Sequence, residues 1–338
     1  MLFQVLSMDG VSVKPTEAMT GPQANELGGH RFTPESCPSL GNAPAFTLDR
    51  PICTRTLVML PSSRAEIWVT YRDSHDDLHA TPSPGEYAVL RSAGYSTGET
   101  GDQWPAVDLA RVEFPTAADP KIPRALAVNG EAIEMLAPLG ISASLASANA
   151  AVPKTAPCPA LPPGHRRRIF FGVPSGNPDA FGLAYEEVDQ NGIVYGPAAT
   201  DLIPFDAANP PLCVPLGRYN SPTMERWQLI NVATENHNFH IHQTKFRVVS
   251  KDELAGTVTP KGILLDNVPL PVATGSCGSD PVVGTGNAVA DWRLGLCQAT
   301  PVTVEIPFAI AGDFVYHCHI LEHEDGGMMA RIHVQPSK

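Results

Sequence analysis

The sequence predicts an all-β chain of two domains, and three observations carry that prediction. Its 34 prolines and 28 glycines punctuate the chain too often for long helices. Its apolar residues fall in short β-branched and aromatic runs, with few long amphipathic stretches. Its 338 residues are enough to bury two separate cores. The formal net charge of −12 disfavours nucleic acid and anionic membrane surfaces as partners. No apolar run approaches the roughly 20 residues of a membrane-spanning helix.

Taken in order, residues 1–11 read as a strand running into an Asp9-Gly10 turn. Residues 60–71 alternate apolar and polar over their second half and fit the same domain. No His-x-His pair occurs before about residue 140. His75 and His79 are four apart and would hold a metal if helical, but their acidic neighbours read as a solvated loop. His30 and His165 read as surface residues. Residues 141–164 pass from an Ala/Ser-rich stretch into Pro153, Pro157, Pro159, Pro162 and Pro163, the composition of a semi-rigid linker. The expected division is therefore 1–140, a linker at 141–164, and a second domain at 165–338. Arg166, Arg167 and Arg168 precede an apolar strand; in an acidic chain they are expected to keep an exposed strand edge soluble. Residues 225–232 alternate and lead into a histidine motif, and 246–249 lead away from it. The Gly/Ser/Asp-rich stretch 268–289 carries Cys277 and reads as a long surface loop that either shapes access or is simply tied down.

Seven cysteines stand at 37, 53, 158, 213, 277, 297 and 318. With Cys318 set aside as a ligand, an even six remain. Cys37–Cys53 and Cys277–Cys297 would each bracket one loop, which leaves Cys158–Cys213; six cysteines allow fifteen pairings, so this is one arrangement among several. Disulfides predict an exported protein, secreted or periplasmic.

Two stretches concentrate the chemistry. Residues 236–243, Asn-His-Asn-Phe-His-Ile-His-Gln, and 316–329, Tyr-His-Cys-His-Ile-Leu-Glu-His-Glu-Asp-Gly-Gly-Met-Met, both follow strand-like sequence. Successive side chains of a strand point to opposite faces. His240 and His242 therefore share a face, as do His317 and His319, while His237 and Cys318 point the other way. His323 and Met328 can join Cys318 from the loop that follows. A thiolate, two imidazoles and a weak thioether make the ligand set of a blue-copper site. Zinc is the rival, but structural zinc sites prefer paired cysteines.

His-Cys-His-Ile-x-x-His-x4-Met at 317–328 and His-x-x-His-x-His at 237–242 resemble the two C-terminal copper motifs of the multicopper oxidases, the laccase-like family. The resemblance implies two cupredoxin-like Greek-key β-sandwich domains, with residues 1–140 a copper-free spacer. It implies that His237, Cys318, His323 and Met328 hold the type 1 copper, His240 the type 2 copper, and His242, His317 and His319 the type 3 pair. Asn238 departs from the proline frequent at this position, a change expected to affect loop stiffness only. The implied activity is one-electron oxidation of phenols or aromatic amines, coupled to reduction of dioxygen to water. Eight methionines without a Met-rich run argue against cuprous ion as substrate. Electrons are expected to enter at the outer edge of His323. Glu324 either relays protons to the oxygen site or accepts a hydrogen bond from a ligand histidine. The family's oxygen-reducing cluster takes twice as many imidazoles as the four available here. The chain is thus expected to be the C-terminal part of a three-domain enzyme, its missing ligands supplied by an N-terminal cupredoxin domain or another chain. The alternative is a blue-copper electron-transfer protein that does not reduce oxygen by itself.

Overall fold

The computed structural model describes the strand backbones at 2–8, 11–12, 26–27, 30–35 and 52–57. It also describes residues 59–70, 85–98, 101–113, 157–249, 264–275, 277–278 and 284–336. His75, His79, the side chains of His30 and Cys37, and residues 141–156 of the expected linker lie outside this set.

The described chain is all-β, with two short helices, Ala288–Leu294 and Leu321–Asp325. In the first region the opening strand Leu2–Met8 pairs antiparallel with Val11–Ser12, Met8 opposite Val11; the expected Asp9-Gly10 turn lies outside the described residues. It also pairs with Ile52–Leu57 and with Ala65–Thr70. A second hairpin joins Tyr87–Ser92 to Val107–Glu113, and a small one joins Tyr95–Ser96 to Gln103–Trp104.

The second region is a sandwich of two five-stranded sheets, the arrangement expected of a cupredoxin-like domain. One sheet runs in the order Gly182–Val188, Arg166–Gly172, Thr223–Asn231, Val302–Phe308, Arg247–Val248. The other runs Leu212–Leu216, Met329–Pro336, Gly312–His317, His237–Ile241, Asn267–Leu270. Between them lies one apolar core of Ile169, Trp227, Leu229, Phe239, Tyr316, Ile332 and their neighbours. The Trp227 ring meets that of Tyr316 edge-on at 5.3 Å. Cys318 and Met328 belong to the same core, so these two sulfurs are part of the hydrophobic interior. Cys158–Cys213 and Cys277–Cys297 are disulfide-bonded, two of the three pairs expected; the third lies outside the described residues.

The arginine run overturns an expectation. Arg166–Gly172 is not an edge strand but lies between two others, antiparallel to one and parallel to the next. Arg167 and Arg168 are buried. Arg167 clamps Glu225 with Nε at 2.8 Å and Nη2 at 3.1 Å, and gives Nη1 to Glu187 at 2.7 Å. Trp227 Nε1 donates to the same Glu225 at 2.8 Å. Arg168 pairs with Glu186, which also takes Arg293 from the helix Ala288–Leu294. Partners distant in sequence neutralise these charges, which is why composition alone placed them at the surface. Arg167→Ala should cost about 3–5 kcal/mol, because it strands the Glu225 carboxylate in the core. Urea unfolding would show this as a lower midpoint.

Candidate metal centre

Strand alternation sorts the candidate ligands as the two motifs require. His237–Ile241 pairs with the end of Gly312–His317, His240 opposite His317 and Ile241 opposite Tyr316. Phe239 and Ile241 point into the core, and His237 shares their side of the strand. After His317 the chain leaves the sheet, turns through the helix Leu321–Asp325, and re-enters it at Met329 opposite His317. This hook brings His323 and Met328 back over Cys318. The Cys318 N–H donates to the Met328 carbonyl at 3.1 Å, and the Met328 N–H to that of His323 at 2.8 Å. Gly327, at φ +107°, closes the hook where a Cβ would lie 2.9 Å from both Phe181 O and Pro204 Cβ.

One cluster consists of His237, Cys318 and His323, all buried, with donor atoms within 4.8 Å of one another. Both imidazoles aim Nδ1 inward, 2.9 Å apart, with Cys318 Sγ at 3.9 Å from His237 Nδ1 and 3.4 Å from His323 Nδ1. Met328 is fully buried in the adjoining core. Burial holds the His237 imidazole well below its usual pKa, with the neighbouring His323 adding to the effect, so it is a neutral donor. Burial also pushes the Cys318 thiol up to about 12, against hydrogen bonds from the backbone of Asn238 and Ile320. Converging soft and imidazole donors at the edge of an apolar core fit a thiolate-loving metal, and one thiolate with two imidazoles beside a buried thioether fits copper better than zinc.

The second cluster holds His240, His317 and His319. His242 joins it, with its Nε2 3.2 Å from His317 Nε2. His317 Nδ1 faces the Cys318 carbonyl at 2.9 Å, and His240 Nδ1 the Asp266 carbonyl at 2.8 Å. Both rings therefore offer Nε2 to a metal, the orientation that such backbone acceptors impose on ligand histidines. Burial, reinforced by His317, lowers the His240 pKa to about 4. Glu324 Oε2 is 3.4 Å from His317 Nδ1 and 3.9 Å from His319 Nδ1. This cluster reaches the surface: His242 is exposed, and His240 and His319 are half-buried.

Two surrounding residues, Phe181 and Glu235, escaped the reading of the motifs, and a third, Asn238, does more than the change in loop stiffness expected of it. Phe181 stacks on His323 at 4.2 Å between ring centres. Asn238 touches both Cys318 and His319. The carboxylate of Glu235 lies 3.1 Å from His323 Nε2, off the axis of a full hydrogen bond, and accepts from Thr97 Oγ1 at 2.8 Å. Burial opposes ionisation of Glu235, but His323 and Thr97 outweigh it and hold the carboxyl below its usual range. The edge of His323 is therefore not open: the ring is 1% exposed and lies under Glu235 and the first region's Thr97. A cleft of about 360 Å³ opens nearby, lined by Gly98, Thr234, Asn236 and residues 272–275. Glu235 and Asn236 directly precede the first motif, the only local hint of their role.

Since the raised thiol must lose its proton to bind a metal, copper uptake should strengthen with pH. Loading followed between pH 5 and 7 should tighten by about tenfold per unit from this proton. His237 adds nothing to the balance because burial already keeps it neutral.

Cys318 thus joins a buried cluster of one thiol and two imidazoles to a second cluster of imidazoles, donor sets suited to holding metal ions. Residues 209–338 match the family model for multicopper oxidases. Over that stretch the chain is similar to the multicopper oxidases. It is 31% identical over 114 residues to the multicopper oxidase mco of Staphylococcus aureus, covering 32% of this chain and 20% of that protein. It is 29% identical over 136 residues to the multicopper oxidase LPR1 homolog 5 of Oryza sativa subsp. japonica, covering 34% and 21%. It is 30% identical over 183 residues to the bilirubin oxidase of Albifimbria verrucaria, covering 52% and 25%. The matched stretch thus spans about a fifth to a quarter of these relatives. A crystal structure of a multi-copper oxidase from Pediococcus acidilactici aligns over 100% of this chain and 44% of its own, with TM-score 0.43 and 17% identity.

Proposed function

We propose that this chain carries the complete blue-copper site and half of the oxygen-reducing site of a laccase-like multicopper oxidase. The reaction is one-electron oxidation of phenolic or aromatic-amine donors coupled to four-electron reduction of dioxygen to water. The carrying observation is that Cys318 of the buried cluster is covalently flanked by His317 and His319 of the second cluster. Copper bound by these donors supplies one-electron cycling at the first site and oxygen chemistry at the second. The chain's own residues do the rest. His237, Cys318, His323 and Met328 form the first ligand set, and His240, His242, His317 and His319 the second. The Cys318 sulfur is only a few bonds from either flanking imidazole. Glu324 Oε2 lies where it can hand a proton toward His317 and His319. His323, under Glu235, is where electrons enter.

The whole chain holds two His-x-His pairs, half of the imidazoles that the family's cluster takes. The others come from a cupredoxin domain outside these residues or from another chain. In this reading residues 1–140 are a copper-free region, 141–164 a linker and 165–338 the copper-binding domain. The disulfides suit a secreted or periplasmic protein. The exposure of His242 favours a second reading, in which the chain by itself is a blue-copper electron carrier. Titrating the metal-free chain with cupric ion tests the shared core of both: one tightly held copper with intense blue absorption is expected. Tight binding without colour would remove the first ligand set.

A further inference from the structure

Asn238 stands at the junction of the two copper-binding clusters, and its side chain does more than alter loop stiffness. It is 2% exposed. Its Oδ1 accepts the His319 backbone N–H at 2.9 Å and lies 3.2 Å from Cys318 Sγ. Its Nδ2 donates to Asn267 Oδ1 at 2.6 Å. Asn267 is wholly buried; its own Nδ2 donates to the Pro61 carbonyl and, at 2.9 Å, to Ser62 Oγ, both in the first region.

An amide can normally turn over and exchange its oxygen for its nitrogen. This pair cannot do so freely. The His319 N–H is only a donor and requires the Asn238 oxygen. The Pro61 carbonyl is only an acceptor and requires the Asn267 nitrogen. Turning either amide sets two donors or two acceptors face to face in a buried site, and turning both breaks the outer contacts at each end. The negative end of the Asn238 dipole is therefore held against the sulfur.

We propose that Asn238 is a positioning residue that lowers the reduction potential of the blue site, and that Asn267 and the 61–62 turn of the first region keep it set. The inference rests on the assignment of Cys318 as a copper ligand. Its physical basis is that a fixed negative dipole end beside a metal thiolate favours the more positive, oxidised member of the couple. Contacts to the cysteine sulfur are a recognised means of tuning such potentials.

The experiment is redox titration of the copper-loaded full chain, read by its blue absorption, for wild type, Asn238→Ala, Asn238→Asp and Asn267→Ala. Asn238→Ala should raise the potential, increasing the reduced-to-oxidised ratio about tenfold at fixed applied potential, or ~59 mV for one electron. Asn238→Asp keeps an oxygen against the sulfur and should lie at or below wild type. Asn267→Ala, whose side chain hydrogen-bonds to Asn238 and the 61–62 turn and not to a ligand side chain, should shift in the same direction as Asn238→Ala but less. A role in packing alone would not separate alanine from aspartate by sign. An unchanged or lower potential in Asn238→Ala, or a rise in Asn238→Asp, would overturn the proposal. If Asn238→Ala fails to fold, Asn267→Ala and Asn238→Asp decide it, and an unshifted Asn267→Ala then overturns it. A wild-type chain that takes up no blue copper defeats the ligand assignment itself, a result distinct from a blue chain whose potential does not move.

Discussion

Cys318→Ser should abolish the blue absorption and weaken copper binding by more than the roughly 10–100-fold typical of losing an outer-shell partner. The colour requires sulfur bonded to the metal, and Cys318 is the only free cysteine among the described residues. Its hydroxyl replacement occupies almost the same volume in the core, so the fold should survive. Two controls make the result specific. The Cys158–Cys213 and Cys277–Cys297 bridges should remain intact by mass mapping without reduction. Circular dichroism of the metal-free variant should match that of the metal-free wild type. Blue absorption that persists in the variant would show that another group binds the metal, and the hooked chain from Cys318 to Met328 would need a different explanation.

Oxygen consumption carries the other large effect. Fully loaded with copper, this chain should bleach when a phenolic donor is added under argon, because the blue site accepts an electron. It should then consume oxygen at no more than background rate. His240, His242, His317 and His319 lie together, but His242 is exposed and His240 and His319 are only half-buried. A set of this kind lacks both the remaining imidazoles and the dry surroundings that would hold further metal firmly. Adding a separately produced cupredoxin domain with two His-x-His pairs should restore copper uptake and oxygen reduction together. An oxygen electrode and metal analysis before and after mixing measure both. Steady turnover by this chain alone would end the half-site reading and favour pooling of two copies.

Period-two alternation made much of the site legible in advance. Strand parity is a local property, so the sequence already separated His237 and Cys318 from His240, His242, His317 and His319. The short spacing from Cys318 to His323 and Met328 likewise limited those side chains to folding back over one centre. Proline, glycine and β-branched runs marked the chain as all-β, because each acts through its own backbone preferences.

Tertiary structure decided whatever depends on partners far away in the chain. Arg167 and Arg168 read as solvent-facing until the sheet order enclosed them beside Glu225, Glu187 and Glu186. Glu235 gained its place against His323, and Phe181 its stack on the same ring, only when separate strands and loops met. Asn238 looked like a substitution with local consequences because its neighbours in sequence say nothing of Asn267 or the 61–62 turn. The facing of each candidate ligand follows from backbone period, which each short segment contains. Burial of charge, orientation of an amide and closure over a histidine edge depend on which surfaces meet, and that is settled only when the whole chain has folded.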